Sequence, residues 1–334
     1  MKFGSVFVDG TLEIAADTLQ SGEHLIIEAD HLVINTGMGA DTDQLSRRKR
    51  GTEYVTNGKI VIGTAENPIP CDVTVEIRIN GDQNARSFGA LAGLPPIGAK
   101  ALGGFGGIEM HGCAPTRTWT TLTDTVNAGA TVITVNDDIT GWKVGDEIVV
   151  ASSDFDHRHT AYFAITQISG SQITLNTTFI WRHLGSSSTT DTFKGRQVDQ
   201  AAEVALLTRN IRIDGSGGAE GKVGGRVVVF SWTENIDGHE FVHAGYGQFE
   251  NVEFKGMGQF GYTNYDDLRA QILFWGTNPT PDISIERNES YVRGCAFHGG
   301  FHTAVAAMFD TDGLVIDNNI VFGTVDDAIR TDSV

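Results

Sequence analysis

Acidic and histidine side chains in the last third of the sequence offer the chemistry of a polysaccharide-active site. Two carboxylates at a suitable separation can serve glycoside hydrolysis, and a cluster of carboxylates can hold calcium. Asp is also favoured in turns, where it bonds to the backbone, so a set of solvated turn residues is the competing interpretation. The candidate groove residues are His302, Asp310, Asp312, Asp326 and Asp327.

A second group with similar chemistry lies near the middle of the chain. Asp154, Asp156, His157 and His159 follow one another closely, and carboxylate and imidazole groups are ligands for divalent ions. A loop between two strands explains the same residues equally well. The sequence identifies no cofactor with certainty and leaves Ca²⁺ open.

Several residues suggest covalent processing of a secreted chain. Two Asn-X-Ser/Thr sequons are acceptors for N-glycosylation, and a run of four basic residues in a polar segment would suit a proprotein convertase. A solvated loop also accounts for the basic run. The sequons begin at Asn176 and Asn288, and the basic run is Arg47, Arg48, Lys49 and Arg50.

The three cysteines do not form a dense disulfide framework or a Cys-X-X-Cys pair, so zinc and redox chemistry are not indicated. Cys71 precedes one strand-like run and Cys113 follows another, which leaves a bridge between them open. Cys295 lies in an apolar pattern and is expected to be a small core residue.

Composition excludes several function classes. The net charge of −18 repels nucleic acid and anionic membrane surfaces, because binding there needs Lys and Arg. We found neither an apolar run long enough to span a bilayer nor a signal peptide at the start of the sequence. The expected partner is an extracellular protein or polysaccharide, with no nucleic acid and no direct membrane insertion by this segment.

The elements that must position these residues are short strands. Runs rich in β-branched residues end at Gly, Asp or Asn throughout the chain. Residues 291–297 match residues 315–321 at a spacing of 24, which suits one coil of a three-sided parallel β-helix. This spacing places His302 one coil below Asp326, and Thr303 below Asp327.

Residues 114–200 have a different pattern. Their strand runs alternate and are joined by short turns such as Ser169-Gly170-Ser171, which is typical of antiparallel hairpins. The sequence therefore predicts an all-β fold, a right-handed parallel β-helix with an inserted small antiparallel β-barrel. The expected regions are 1–113 and 201–334 for the β-helix coils and 114–200 for the barrel, with the coils continuing beyond 334.

Particular runs resemble a known family. Residues 4–14 and 58–68, with the Gly-Asp-Glu-Ile-Val-Val run at 145–150, resemble the domain named for its eight glycines, the G-eight (G8) domain. Residues 290–298 and 312–319 resemble the β-helix coils of the fibrocystin-like proteins. The cell-surface and secreted hyaluronan-depolymerising proteins share this architecture more distantly. They carry a Pro-Ile-His-Phe-His run where residues 268–274 here have no His, which favours the fibrocystin-like branch.

The resemblance implies a function as well as a fold. It implies a non-catalytic module of a large cell-surface or secreted protein, acting as a rigid scaffold for ligand binding or adhesion, with residues 1–113 as the G8-like region. The alternative is a polysaccharide-active enzyme of the hyaluronidase or lyase type that uses the acidic groove. These two hypotheses differ in whether the chain shortens glycosaminoglycan or uronate polymers.

Overall fold

The structure is built from strands, here numbered β1 to β29 in chain order. A computed structural model describes residues 2–34, 52–54, 58–82, 97–188, 191–217, 222–236, 239–261, 269–277 and 289–332. Up to residue 113 the strands are β1 (Lys2–Val8), β2 (Thr11–Ile14), β3 (His24–Ile34), β4 (Thr52–Tyr54), β5 (Lys59–Ile62), β6 (Thr74–Ile79), β7 (Ala101–Gly104) and β8 (Gly107–His111). From 114 to 208 they are β9 (Trp119–Thr121), β10 (Val132–Thr134), β11 (Glu147–Val150), β12 (Ala161–Ser169), β13 (Gln172–Leu175), β14 (Asp191–Phe193), β15 (Arg196–Val198) and β16 (Glu203–Leu206).

The remaining strands follow from residue 209 onward. They are β17 (Ile211–Asp214), β18 (Arg226–Phe230), β19 (Trp232–Ile236), β20 (His239–His243), β21 (Tyr246–Glu250), β22 (Val252–Lys255), β23 (Ile272–Trp275), β24 (Tyr291–Arg293), β25 (Ala296–His298), β26 (Val305–Met308), β27 (Val315–Asp317), β28 (Ile320–Phe322) and β29 (Ile329–Asp332). Helical structure in the described residues is limited to the 3₁₀ turns Ala16–Thr18, His157–His159 and Ser186–Ser188. Among those residues, no helix is long and apolar enough to cross a membrane.

Three parallel faces form the β-helix in residues 1–113 and 209–334. The first face stacks β3, β6, β17, β22, β25 and β28; the second stacks β3, β7, β18, β23, β26 and β29; the third stacks β2, β5, β8, β21, β24 and β27. Strand β3 serves two faces because its residues 24–29 pair with β6 and its residues 31–34 pair with β7. Each coil visits the third, first and second faces in turn, so the expected parallel β-helix is confirmed.

The predicted 24-residue coil is correct for the last coils. Tyr291 pairs with Val315, Ala296 with Ile320, and Val305 with Ile329. Earlier coils are longer because loops and extra elements leave at the corners. One such element is the hairpin of β19 and β20, which lies between β18 and β21 and pairs with β4.

The core consists of columns of inward-facing apolar side chains. On the first face one column runs through Ile77, Ile213, Phe254 and Phe297, each fully buried. The rings of Phe254 and Phe297 stack with centroids 4.6 Å apart. Burying each such side chain contributes roughly 1.5–3 kcal/mol, and no single coil can shield its own inward side chains.

Asparagines shape the corner between the third and first faces. Asn251 and Asn318 have φ of 54° and 51°, a left-handed conformation that Asn tolerates better than most residues. The side chain of Asn319 bonds to the preceding coil: its Nδ2 donates to the carbonyl of Val292 at 2.8 Å, and its Oδ1 accepts from the backbone N–H of Cys295 at 2.9 Å. These bonds satisfy backbone groups that the turn leaves outside the strand ladders.

Residues 114–208 form a separate compact unit with an antiparallel sheet in the order β10-β13-β12-β11-β16-β9. The sheet curls into a barrel because Leu122, after β9, bridges Val135, after β10. The boundary expected at residue 200 is wrong. Strand β16 has the apolar pattern of a coil strand. Its residue Ala205, however, pairs antiparallel with Val149 inside the barrel, so the unit extends to Thr208.

Charges alternate in sign along the outer surface of the first face. Glu28, Arg78, Asp214 and Lys255 occupy successive rungs at one position of the strands. Rungs of a parallel stack lie about 4.8 Å apart, where like charges directly opposite each other are destabilising. The alternation therefore favours this stacking register over one that brings like charges together.

A neighbouring position repeats the alternation and becomes fully buried. Glu76, Arg212 and Glu253 lie on successive rungs. Glu253 Oε1 lies 3.0 Å from both Arg212 Nε and His298 Nε2, and its Oε2 accepts from the backbone N–H of Arg209 at 3.0 Å. A buried carboxylate requires such partners, because an uncompensated charge in the interior is strongly unfavourable.

Substitution of Arg78 tests the outer ladder. Arg78 donates to Glu76 at 2.8 Å and to Glu28 at 3.2 Å. Burial acts to raise the pKa of Glu76, but the hydrogen bonds and charge of Arg78 outweigh it and hold that pKa below its usual value. We expect Arg78→Met to lower the free energy of unfolding by about 1 kcal/mol at pH 7, measured by urea denaturation.

The effect should depend on pH in one direction. A carboxyl group whose pKa is lowered by folding contributes stability above its unfolded pKa of about 4.3, and this contribution is lost as the pH falls through the lower folded value. The difference between Arg78→Met and the parent should therefore shrink in acid. Arg330→Met is the control, because the half-buried Arg330 lies 3.9 Å from Asp332, too far for a hydrogen bond. Equal unfolding midpoints for Arg78→Met and the parent at pH 7 would contradict the ladder.

Candidate functional site

The predicted acidic groove is only partly assembled. His302 precedes β26 and Asp326 precedes β29, one coil apart as expected, with His302 Nδ1 3.6 Å from Asp326 Oδ2. However, the backbone N–H of Thr303 donates to His302 Nδ1 at 2.8 Å, and the Thr303 hydroxyl reaches Asp326 at 3.3 Å. The ring nitrogen nearest the carboxylate is thus an acceptor already in use, and the imidazole is almost completely buried. Asp327 beside it is exposed, and its carbonyl accepts from Ala304 at 3.1 Å.

Asp310 and Asp312 do not join this group. They follow β26, whereas His302 precedes it, and four strand residues span about 13 Å. Asp310 is exposed and has φ of 54°, and Asp312 Oδ1 accepts from the N–H of Gly313 at 2.7 Å. The single groove expected from the sequence is therefore corrected to two groups at opposite ends of one strand.

The acidic and histidine group of the barrel is brought together, but its atoms bind one another. Asp154 Oδ2 lies 2.7 Å from His159 Nδ1. Asp156 accepts hydrogen bonds from Nε and Nη2 of Arg158 at 2.9 and 2.6 Å. A metal ion bound by these carboxylates would have to displace the arginine and the histidine, so the arrangement favours the loop interpretation over the metal site. His157 shares the 3₁₀ turn His157–His159 with them.

This loop lines a shallow hollow of about 610 Å³ formed by Asp154, Phe155, Asp156, His157, Arg158 and His159. The Phe155 ring at its rim is fully exposed. The ring of His159 stacks on Trp181 with centroids 3.9 Å apart and an interplanar angle of 22°. The sequence predicted the loop from its Asp and His residues and missed Trp181, because only the fold brings residue 181 against residue 159.

A polar cluster on the third face was also missed. Lys59 Nζ lies 3.3 Å from Glu109 Oε1, and the hydroxyl of Tyr246 donates to the same oxygen. Burial and this carboxylate raise the pKa of Tyr246. Tyr246 crosses Gly107, where a Cβ would lie 2.5 Å from the hydroxyl, so only glycine leaves room for the ring.

A second tyrosine continues this cluster on the next coil. The hydroxyl of Tyr291 lies 2.7 Å from His111 Nε2, and the Arg293 guanidinium lies 4.4 Å from the centre of its ring. Unequal coil lengths hide the cluster in the sequence, because Glu109 and Tyr291 become close only through Gln248 on the strand between them. Each of these polar groups has a protein partner, so we assign them to the packing of the face.

The structure joins Cys71 and Cys113 in a disulfide, with Cα atoms 5.0 Å apart. Asn210 supports the same corner: its Oδ1 accepts from the N–H of Cys113 at 2.8 Å, and its Nδ2 donates to the carbonyl of Pro70 at 3.0 Å. Cys113 is the last residue before the inserted unit and Asn210 lies just after it. The bond therefore fastens the point at which the chain leaves the β-helix.

Three predicted features concern modification of the chain. Asn176 is exposed, and its Oδ1 accepts from the backbone N–H of Ala164 at 2.9 Å. Asn288 and the basic run Arg47, Arg48, Lys49 and Arg50 lie outside the described residues.

Comparisons with known proteins agree with this architecture. Residues 1–123 match the family model of the G8 domain. The chain carries a G8 domain. Along its length it is similar to human fibrocystin-L, 32% identical over 333 residues, and to dog fibrocystin, 27% identical over 271 residues. The family resemblance predicted from the sequence is confirmed.

The extent of these matches is unequal. They cover 97% and 81% of this chain but only 8% and 6% of the two relatives, so the chain spans less than a tenth of their length. Among solved structures, the tailspike gp61 of Pseudomonas phage phi297 aligns with 89% of this chain and 42% of its own, at a TM-score of 0.27 and 8% identity. The parallel strand pairing of the chain itself defines its fold.

Thiol labelling tests the assignment of the three cysteines. Cys295 is buried, and burial raises its pKa to about 12, so the thiolate that reacts with alkylating agents is scarce in the folded protein. We expect no thiol to react with iodoacetamide in the native chain, one after denaturation, and three after denaturation with reductant. Mass spectrometry counts the adducts, and more than one adduct without reductant would rule out the Cys71–Cys113 bond.

Proposed function

We propose that this chain is a non-catalytic, rigid module of a fibrocystin-like cell-surface or secreted protein, which holds ligand-binding surfaces outside the cell. The similarity to fibrocystin-L and fibrocystin along most of the chain supports the fibrocystin-like part. The disulfide between Cys71 and Cys113 is consistent with an oxidising, extracellular setting.

The non-catalytic part of the proposal rests on the state of His302. A general base in a polysaccharide lyase or hydrolase needs a free nitrogen or carboxylate within reach of the substrate. His302 is almost completely buried and uses Nδ1 to accept from the backbone of Thr303. Its expected partners Asp310 and Asp312 lie at the far end of β26, so they do not face Asp326 across one sugar.

The rigid part of the proposal follows from the stacked core. The inward columns of the three faces are continuous through successive coils, and their members are almost all fully buried. In a solenoid each coil is stabilised mainly by its neighbours. A surface feature displayed on such a stack therefore keeps its position without help from a ligand.

A depolymerisation assay separates this proposal from the enzyme alternative. We expect the chain lengths of hyaluronan and polygalacturonate to stay unchanged on incubation with the purified protein, with or without Ca²⁺, as measured by size-exclusion chromatography with light scattering. Shortening that is lost in Asp326→Asn and kept in Asp317→Asn, an exposed carboxylate on β27, would establish the enzyme and overturn the proposal.

Glycosylation tests the extracellular setting. Asn176 is exposed at the end of β13, so its sequon is accessible in the folded protein. We expect secretion of the chain from human cells with an added signal peptide to give a glycosidase-sensitive form whose mass decreases by one glycan in Asn176→Gln. Asn127→Gln, outside any sequon, should leave the mass of the glycan unchanged. A glycan count in Asn176→Gln equal to that of the parent would contradict use of this site.

A further inference from the structure

The loop around Phe155 and the segment at residues 180–181 expose apolar side chains that a folded protein usually buries. Phe155 is fully exposed, Ile180 is 75% exposed and Trp181 is 47% exposed. Such a cluster on a soluble domain often marks a binding site. We refer to the hollow lined by residues 154–159, with Trp181 at its edge, as the aromatic hollow.

Hydrogen bonds fix the backbone of the aromatic hollow before any ligand arrives. Asp154 Oδ1 accepts from the hydroxyl of Ser152 at 3.0 Å and from the N–H of Asp156 at 2.9 Å. Asp156 Oδ1 then accepts from the N–H of Arg158 at 3.0 Å, and the Thr160 hydroxyl accepts from the N–H of Ser152 at 3.3 Å. Phe155 is therefore held outward by the turn, and a ligand need not order the loop.

Trp181 provides a supported flat surface at the edge of the hollow. His159 covers one face of its ring at 3.9 Å, and Asp154 holds His159 in place at 2.7 Å. About half of the indole remains exposed to solvent. An aromatic face with a fixed backing group suits a ligand that has a flat apolar side.

Polar groups of both kinds surround this surface. Hydrogen bonds from His159 and from the backbone lower the pKa of Asp154, and those from Arg158 lower the pKa of Asp156 to about 2, so both are carboxylate acceptors at neutral pH. Arg158 is 78% exposed and carries five N–H donors, of which its Nε and one Nη2 hydrogen contact Asp156. The hollow thus offers the remaining N–H donors of Arg158, beside two negative charges, next to an aromatic face.

We propose that the aromatic hollow binds a neutral pyranose unit of a glycan, with its C–H face on the exposed part of Trp181 and its hydroxyls bonded to the N–H donors of Arg158 that Asp156 does not use. A pyranose ring has one face of C–H groups and an edge of hydroxyls that both donate and accept. The two carboxylates, on a chain of net charge −18, disfavour uronate or sulfated sugars. The volume of about 610 Å³ lies in the range of small-molecule sites.

This inference rests on the proposed function, because it names the ligand class of the binding module. A small ligand fits the site better than a protein partner, since one side of a stable protein interface buries about 800 Å² and the hollow is lined by a single short loop. A basic peptide is the alternative that the carboxylates would attract, and it is a separate arm of the test.

Binding measurements with defined oligosaccharides test the proposal on the full chain. The probes are mannotriose, cellotriose and chitotriose, with a hyaluronan hexasaccharide and trilysine as charged comparators, measured by isothermal titration calorimetry and saturation-transfer NMR. We expect at least one neutral trisaccharide to bind and both charged probes to bind more weakly. Trp181→Ala should weaken that binding about tenfold or more, because it removes the aromatic surface on which the sugar ring packs.

Matched variants separate recognition from folding. Trp181→Phe keeps an aromatic face and should retain most of the affinity. Trp119→Ala removes a similarly exposed tryptophan from β9 of the same barrel and should leave binding unchanged. The unfolding temperature of each variant shows whether the barrel is intact.

Three results would overturn the inference. They are no binding of any neutral probe to the parent chain, equal losses in Trp181→Ala and Trp119→Ala, or tighter binding of trilysine or hyaluronan than of the neutral sugars. If the chain binds no sugar and also leaves polymers intact, the neutral glycan is not its ligand, and the proposal of a non-catalytic module stands. Cleavage of the polymers would overturn the proposal of a non-catalytic module.

Discussion

Parallel pairing at a fixed register is the constraint on which the rest of this β-helix depends. It places a side chain of one coil directly above its equivalent in the next, about 4.8 Å away, so each position is repeated along the stack. Inward positions must then be compatible with copies of themselves. Ile77, Ile213, Phe254 and Phe297 meet this requirement by stacking apolar groups of similar width. A polar residue at any of these positions would lie between two apolar side chains, with no contact to water.

The same constraint acts in the opposite sense on the outer surface. Identical charges on successive rungs repel, and the first face avoids this by alternating Glu28, Arg78, Asp214 and Lys255. Where the surface becomes buried, the alternation becomes obligatory, since Glu253 has no solvent to replace Arg212 and His298. These charges therefore contribute to the pairing of the coils.

This constraint also decides how much the sequence alone could predict. The last coils lack long insertions, so residues 291–297 and 315–321 revealed the 24-residue period and the adjacency of His302 and Asp326. The earlier coils differ in length, so the meeting of Glu109 with Tyr246 depends on a register that no fixed spacing records. The sequence places strand β16 in the wrong unit, because the apolar pattern of a strand does not say whether its partner is parallel or antiparallel. The use of His302 Nδ1 by Thr303 depends on a side-chain rotamer, which a repeat does not specify.

Corners are the points at which a parallel stack tolerates variation, because a loop that leaves there does not disturb the pairing on the faces. The inserted barrel leaves between β8 and β17, and the Cys71–Cys113 bond and Asn210 hold that corner closed. Sequence change in the barrel loops is then largely independent of the stability of the coils, since solenoid stability is set by neighbouring coils.

Recognition is expected on such loops and not on the faces, whose outer residues are bonded to one another. In this chain the exposed Phe155 and Trp181 lie in the barrel, beside Arg158, which Asp156 engages with only part of its N–H donors. By contrast, Lys59, Glu109 and Tyr246 on the third face are mutually bonded. The fold therefore divides the chain into surfaces that maintain the stack and barrel loops that take no part in it.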